Sequence, residues 1–582
     1  MSAEQGGTHA RAAVYRAMQV WQTTLRGRRA TGAAGVSAMI NSFYLLALAL
    51  AQPAAHGHDD HSPQLGTIAF QTSCSPAAQA IFLRGLGWLH SFEYEQAEST
   101  FNKAATSDPS CGIAYWGAAM SLYHPLWAPP TPAELVRART VLGKAESAPP
   151  KTQRERDYVA AIGVFFEGSD TVDHKTRVLA YNAAMSALHK RYPADREAAV
   201  FYALSQTAAG TLDNDPGFTR EKDAAAILET VLKDEPDHPG VAHYLIHSFD
   251  YPPLANLAVP AAKRYASIAP ASPHAQHMPS HIFTRLGMWP DSISSNLRSA
   301  AAARDLLKAK GFVGGSREEL HAMDYLAYAY LQTGEDRAAE RVLAHLGQML
   351  KVDEPIFSVA YAATAIPARL ALERRQWKAA AALELPPNVR ALAPLESFSW
   401  GQAHLHFARA VGAARDGNAA AARQEIAKLR GIEDQLRIPP GGYDWKSQVS
   451  ISRHIAESWL ANADSRSDEA VALMEAAADL DDSTEKHPVT PGAILPAREQ
   501  LGELLLELGQ PAKSLAAYEA SLKRTPGRLA GLYGAAQAAN LAGDTTKARA
   551  YYAQVVELTK DGDATRNEIK QARKIMAPLE RR

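Results

Sequence analysis

Two pairs of histidines are the side chains in this chain best placed for chemistry. His243 and His247 stand four residues apart, and so do His277 and His281. On a helix this separation stacks two side chains on one face. Two neutral imidazoles so placed each offer a nitrogen lone pair, which makes the pair a natural chelate for a transition metal. The second pair repeats the first at an offset of 277 − 243 = 281 − 247 = 34 residues. His274, His321 and Asp324 stand in the same region. Asp324 offers either an oxygen ligand or an acceptor that orients an imidazole. Cu, Zn and Fe all suit imidazole ligation. The competing reading is a duplicated structural stripe, copied with its repeat and carrying no chemistry.

The 34-residue offset has a structural source. Counting Gly85 as position 8, the residues Gly85, Trp88, Ala97, Phe101, Ala104 and Pro109 fall at positions 8, 11, 20, 24, 27 and 32. This resembles the tetratricopeptide pattern, in which small residues let paired helices approach and larger ones fill the groove between neighbours. Leu501, Gly502, Tyr518 and Pro526 give a second copy, continued by Ala536, Ala548 and Tyr552; Leu326, Ala327, Tyr330 and Ala339 give one in the middle. Gly334, Gly509 and Gly543 suit helix C-caps, and Pro109 and Pro526 suit helix ends. The fold expected is all-α, a tetratricopeptide-type helix-pair solenoid with degenerate middle repeats.

The resemblance implies that positions 2, 5, 9 and 13 of each first helix line a concave groove. His243 and His247 then fall at positions 5 and 9, and His274, His277 and His281 at 2, 5 and 9. His321, Asp324 and Tyr328 take 2, 5 and 9 of the next copy, and His90 and His124 take position 13. Packed helices lie ~8–10 Å apart, so rings from adjacent helices can share one ion or hold two. The expected site is a single centre of His243, His247, His277 and His281, assisted by His274, His321 and Asp324. His90, His124, Tyr328 and His487 are secondary groove candidates. Pro279, between His277 and His281, must either kink the helix or start a new one.

The rest of the chain frames that site. Arg26, Arg28 and Arg29 precede an apolar stretch, Val36 to Ala51, with the small-x-small sequence Ala49-Leu50-Ala51 before Gln52. This reads as an export segment over 1–51, cleaved near Ala51 or Ala55, or else an uncleaved anchor. A periplasmic or secreted protein is expected, with no membrane span after cleavage. Residues 52–75 read as a flexible leader carrying His56, His58, Asp59, Asp60 and His61. The repeat array is expected over 76–380, with Pro-rich breaks near 125–155 and 380–395. An irregular insertion and a degenerate repeat are expected over 381–445, and C-terminal repeats over 446–582. The two cysteines, Cys74 and Cys111, suit a disulfide in an exported chain, with two buried thiols as the alternative.

Sixty-one Lys and Arg against 62 Asp and Glu leave a formal charge of −1, which gives no electrostatic footprint for nucleic acid. The chain lacks a Gly-rich phosphate loop, a serine elbow and an H-E-x-x-H motif. The phrases around Leu89-His90-Ser91-Phe92, His243 to Asp250, His277 to Phe283, His321 to Tyr330 and Pro491 to Gly502 are similar to those of a group of bacterial exported tetratricopeptide proteins. That group has no settled biochemistry, so the resemblance implies fold alone. Three functions follow: a metal-binding protein with redox or hydrolytic activity, a metal-sequestering protein without catalysis, or a metal-free envelope scaffold with a protein or peptide in its groove.

Overall fold

The computed structural model describes residues 63–126, 129–213, 215–438 and 442–577. The export segment and the leader residues His56, His58, Asp59, Asp60 and His61 lie outside them. Helix follows helix from Pro76 to Met576, and the sole β contact among the described residues is the bridge Gly315–Val352. No described helix is long and apolar enough to cross a membrane.

Pairing rests on close approach at small residues. The Phe101 ring lies between Gly85 and Gly117, where added Cβ atoms would come within 2.7 and 2.4 Å of it. Tyr518 lies between Gly502 and Gly534 in the same way, with Cβ approaches of 2.9 and 2.1 Å. In both repeats the aromatic stands 16 residues from each glycine, so the sequence period is a packing period.

The array curls until it meets itself. Trp289 Nε1 donates to Gly527 O at 2.7 Å, across 238 residues, or 7 × 34. Arg566 binds Asp336 at 2.6 Å across 230 residues. The N-terminal end turns more tightly: Ser272 Oγ donates to Glu93 at 2.8 Å, and Thr67 N to Asp237 O at 3.1 Å. This brings the turn after the first described helix, Pro76–His90, against the helices that carry the histidine pairs.

Proline-rich stretches differ from expectation. Pro132 opens a complete helix, Pro132–Ser147, on a Thr131–Glu134 capping box, where a break near 125–155 was expected. The 381–445 stretch, expected to hold an irregular insertion and a degenerate repeat, contains the helix pair Trp400–Arg415 and Ala419–Gln435. Proline at a helix's first turn has no N–H to lose there, so it starts a helix as readily as it ends one. The described residues from Pro63 onward pack as one compact unit. Residues 63–75 are docked, not loose: Phe70 is 1% exposed and packs on Phe82, Trp116 and Tyr158. A disulfide joins Cys74 to Cys111, with Cα atoms 4.7 Å apart.

The segment 483–496 enters the curl from its far end. Arg285 donates to Glu485 at 2.7 Å, Tyr325 OH to Thr490 O at 3.1 Å, and Arg369 to Gly492 O at 3.0 Å. The chain's own loop therefore lies over the helices that carry the histidines.

Candidate metal centre

His243 and His247 project from the helix Pro239–Phe249, whose first turn is fixed by Pro239 and by the His238 ring, which accepts from Val241 N–H. The next inner helix is split at Pro279 into Pro273–His277 and Pro279–Arg285. Met278 keeps helical angles (φ −53°, ψ −36°), so the split still leaves His277 and His281 on one face. His321 comes from Arg317–Thr333.

The six rings form two neighbouring triads rather than one centre. In the first, His243 Nε2 lies 3.0 Å from His247 Nε2 and 3.2 Å from His274 Nε2. In the second, His277 Nε2 lies 3.0 Å from His281 Nε2, and the His277 and His321 ring centroids are 4.1 Å apart. Within each triad one ligand atom per residue lies within 4.8 Å of the others. His274 and His277, one helical turn apart, link the triads with ring centroids 6.5 Å apart.

Partners on the far side of three rings fix their protons. His243 Nδ1 is 2.6 Å from the His90 carbonyl, which can only accept. His281 Nδ1 is 2.9 Å from Asp250 Oδ2. Burial alone would raise the Asp250 pKa, but Lys486, Arg285 and the His281 bond hold it well below the usual carboxylate range, so it too accepts. His277 Nδ1 is 2.6 Å from Asn296 Oδ1. The Asn296 amide nitrogen donates to Ser292 O at 2.8 Å, which fixes which end faces His277. Each of these imidazoles therefore carries its hydrogen on Nδ1 and a bare lone pair on Nε2. His277 and His281 point two bare nitrogens at each other across 3.0 Å.

Protonation does not relieve that confrontation near neutral pH. Burial, followed by repulsion from neighbouring rings, pushes His247, His274, His277 and His321 well below the ordinary 6.5. His243 falls to about 3 for the same leading cause. His281 is lowered too, with Asp250 opposing its burial. Aromatic rings wall the triads: Phe92 lies 4.4 Å from His243 and 5.5 Å from His247, Tyr265 stacks on His243, and Tyr325 packs on all three rings of the second triad.

His90 joins neither triad. Its Nε2 donates to Glu197 at 3.0 Å, and its Nδ1 accepts from Tyr244 OH at 2.9 Å. His238 Nε2 donates to the other Glu197 oxygen at 2.8 Å. Every ring nitrogen of this buried His90–Glu197–His238 group is thus used, and these bonds fix the side chain of the residue whose carbonyl accepts from His243. Gly240 makes room for it: an added Cβ would lie 2.4 Å from His90 Nδ1. Gly240→Ala is expected to cost ~1–3 kcal/mol of stability and, were the triads to hold metal, to weaken the first at least about tenfold and leave the second intact. Titration of metal into the two proteins checks this.

Asp324 is not brought to the rings. Arg369, from the next inner helix, binds it at 2.5 Å. Tyr328 accepts from Arg528 at 2.8 Å, and His124 lies 3.5 Å from Glu134, away from both triads. His487 lines a cavity beside the second triad. The positioning residues that sequence reasoning missed are Asp250, Asn296, Glu197 and His238. Asp250 closes the His243-to-Asp250 phrase at the C-cap of Pro239–Phe249, past the last of the paired histidines that marked the helix.

No protein-family model matches the chain, and neither does any curated protein. Solved structures with some likeness include the human IFIT1 dimer with PPP-AAAA, at 14% identity and TM-score 0.34, over 84% of this chain and 96% of that one. The human IFIT1 dimer with m7Gppp-AAAA matches at 12% identity and TM-score 0.34, over 77% and 90%. The tetratricopeptide domain of P58(IPK) matches at 12% identity and TM-score 0.19, over 87% and 100%. The helical-repeat assignment rests on the chain's own helix pairs and glycine–aromatic packing.

Proposed function

We propose that the two triads each hold one transition-metal ion, Cu, Zn or Fe, and that together they form the working centre of a metal-dependent enzyme. The observation that carries this reading is the pair of bare nitrogens on His277 and His281, 3.0 Å apart. Two buried acceptors face to face each lose a hydrogen bond, at ~1–3 kcal/mol apiece, whereas an ion between them satisfies both. Metal–imidazole bonds of ~2.0–2.1 Å meeting at right or tetrahedral angles put nitrogens ~2.8–3.4 Å apart, a range that takes in the His243–His247, His243–His274 and His277–His281 spacings of 3.0, 3.2 and 3.0 Å.

Three protein ligands leave a fourth position open, the arrangement of catalytic rather than structural sites. Neutral imidazoles also bring no negative charge, so an ion in either triad favours an added hydroxide or other small anion. The scaffold reading is weaker because the 483–496 loop lies where a partner peptide would. The Cys74–Cys111 disulfide and the arginine-then-apolar N-terminus support export to an oxidising compartment.

Elemental analysis of protein purified without added chelator, followed by titration with Cu, Zn and Fe after chelation, tests the reading. Two equivalents per chain are expected. Protein that is metal-free and binds none of the three tightly would return the histidines to a duplicated structural stripe.

A further inference from the structure

A second set of unused histidine nitrogens lies outside the triads. Helices Phe357–Glu373, Trp400–Arg415 and Trp445–Ala463 and the 483–496 loop enclose a cavity of about 40 Å³, lined by Tyr361, Trp400, His404, Trp445, Lys486 and His487 among others. At ~10–15 Å³ per water this admits about three waters. Its wall is rigid: Trp400 and Trp445 stack at 4.0 Å and 12°, and the His487 ring stacks on Phe357 at 4.4 Å.

Hydrogen bonds fix both imidazoles. Thr364 Oγ1 donates to Ala360 O at 2.9 Å, so at 3.0 Å it accepts from His404 Nδ1–H, and His404 Nε2 is left as an acceptor. His487 Nδ1 accepts from Val489 N–H at 3.1 Å, so its Nε2 carries the hydrogen and is a donor. Neither Nε2 has a hydrogen-bond partner among the described residues, and the two side chains are only 9% and 7% exposed. The Lys486 ammonium adds a positive charge and donates to Pro488 O at 3.3 Å. Asp481, also in the lining, accepts from Ala497 N–H at 3.0 Å.

A ligand that satisfies this set needs an acidic group for His487 Nε2–H and Lys486. It also needs a hydroxyl hydrogen for His404 Nε2, a short carbon link against the indole wall, and the bulk of about three waters. We propose that the cavity binds a small hydroxycarboxylate of two or three carbons, with the carboxylate on Lys486 and His487 and the hydroxyl donating to His404. The cavity shares no lining residue with the triads, although Lys486 Nζ also lies 3.7 Å from Asp250 Oδ2, and the proposal does not depend on their holding metal.

Calorimetric titration of the full chain with glycolate, methoxyacetate and glycolamide tests this, before and after treatment with chelator. Methoxyacetate removes the hydroxyl donor and glycolamide removes the charge. Glycolate is expected to bind one per chain in both preparations, at least about tenfold more tightly than either analogue, as befits a lost hydrogen bond to a buried group. His404→Phe, which keeps an aromatic ring, should weaken glycolate about tenfold and narrow its advantage over methoxyacetate. Three outcomes overturn the proposal: no glycolate binding at about 10 mM, equal binding of all three compounds, or glycolate binding that vanishes with chelator. The last would place the acid on ions in the triads. The comparison among ligands uses the unaltered chain, so it stands whether or not the variant folds.

Discussion

Chelated protein taken from pH 7.5 to 5.5 is expected to lose most of its folding stability. His243, at about 3, and His247, His274, His277 and His321, all well below 6.5, stay neutral in the fold because burial disfavours the charged ring. In the unfolded chain the same rings titrate near 6.5. The unfolded state therefore takes up protons first, and stability is full above about pH 6.5 and lost as the pH falls below it. At pH 5.5 each such histidine favours unfolding by ~1.4 kcal/mol, or ~7 kcal/mol for the five, against a usual total of ~5–15 kcal/mol. Urea unfolding followed by circular dichroism at half-unit pH steps measures it. A change below ~2 kcal/mol would mean that the rings are not held neutral. Bound ions should steepen the fall, because protons and metal compete for the same nitrogens.

The sequence carried the period, the helix pairs and the two histidine pairs, because each is written as spacing along one helix. It did not carry how those pairs divide. Position 5 of three successive copies holds His243, His277 and Asp324, so all three looked equivalent. Arg369, 45 residues beyond Asp324, reaches back and binds that carboxylate. The division into triads depends on His274 and His277, neighbours on one short helix with ring centroids 6.5 Å apart, joining different partners, which a 3-residue spacing permits but does not dictate. Asn296, on a second helix, and Asp250, at the C-cap of Pro239–Phe249, bear no period that ties them to the rings they orient. The Pro-rich stretches misled for a different reason. Proline's effect depends on whether it falls at a helix's first turn, and Pro132 and Pro387 both do.

His281→Gln is expected to move stability in opposite directions with and without metal. In the metal-free protein, His277 Nε2 and His281 Nε2 face each other as two acceptors at 3.0 Å. A glutamine at 281 can turn an amide N–H towards His277, replacing that contact with a hydrogen bond, while Asp250 keeps Arg285 at 2.8 Å. Chelated protein should therefore gain on the order of 1 kcal/mol. In the presence of metal the same change removes a ligand from the second triad. Bound metal should then fall from two equivalents to one, and the stabilisation that the lost ion supplied, RT ln(1 + [L]/Kd), disappears with it. Denaturation of both proteins with saturating metal and with chelator, beside elemental analysis, gives all four values. If His277 and His281 instead shared an ordinary hydrogen bond in a structural stripe, the substitution would lower stability, or leave it unchanged, equally in both conditions. A reversal of sign is an outcome that only an ion between the two nitrogens explains, because it requires the same pair to be unfavourable when empty and favourable when filled.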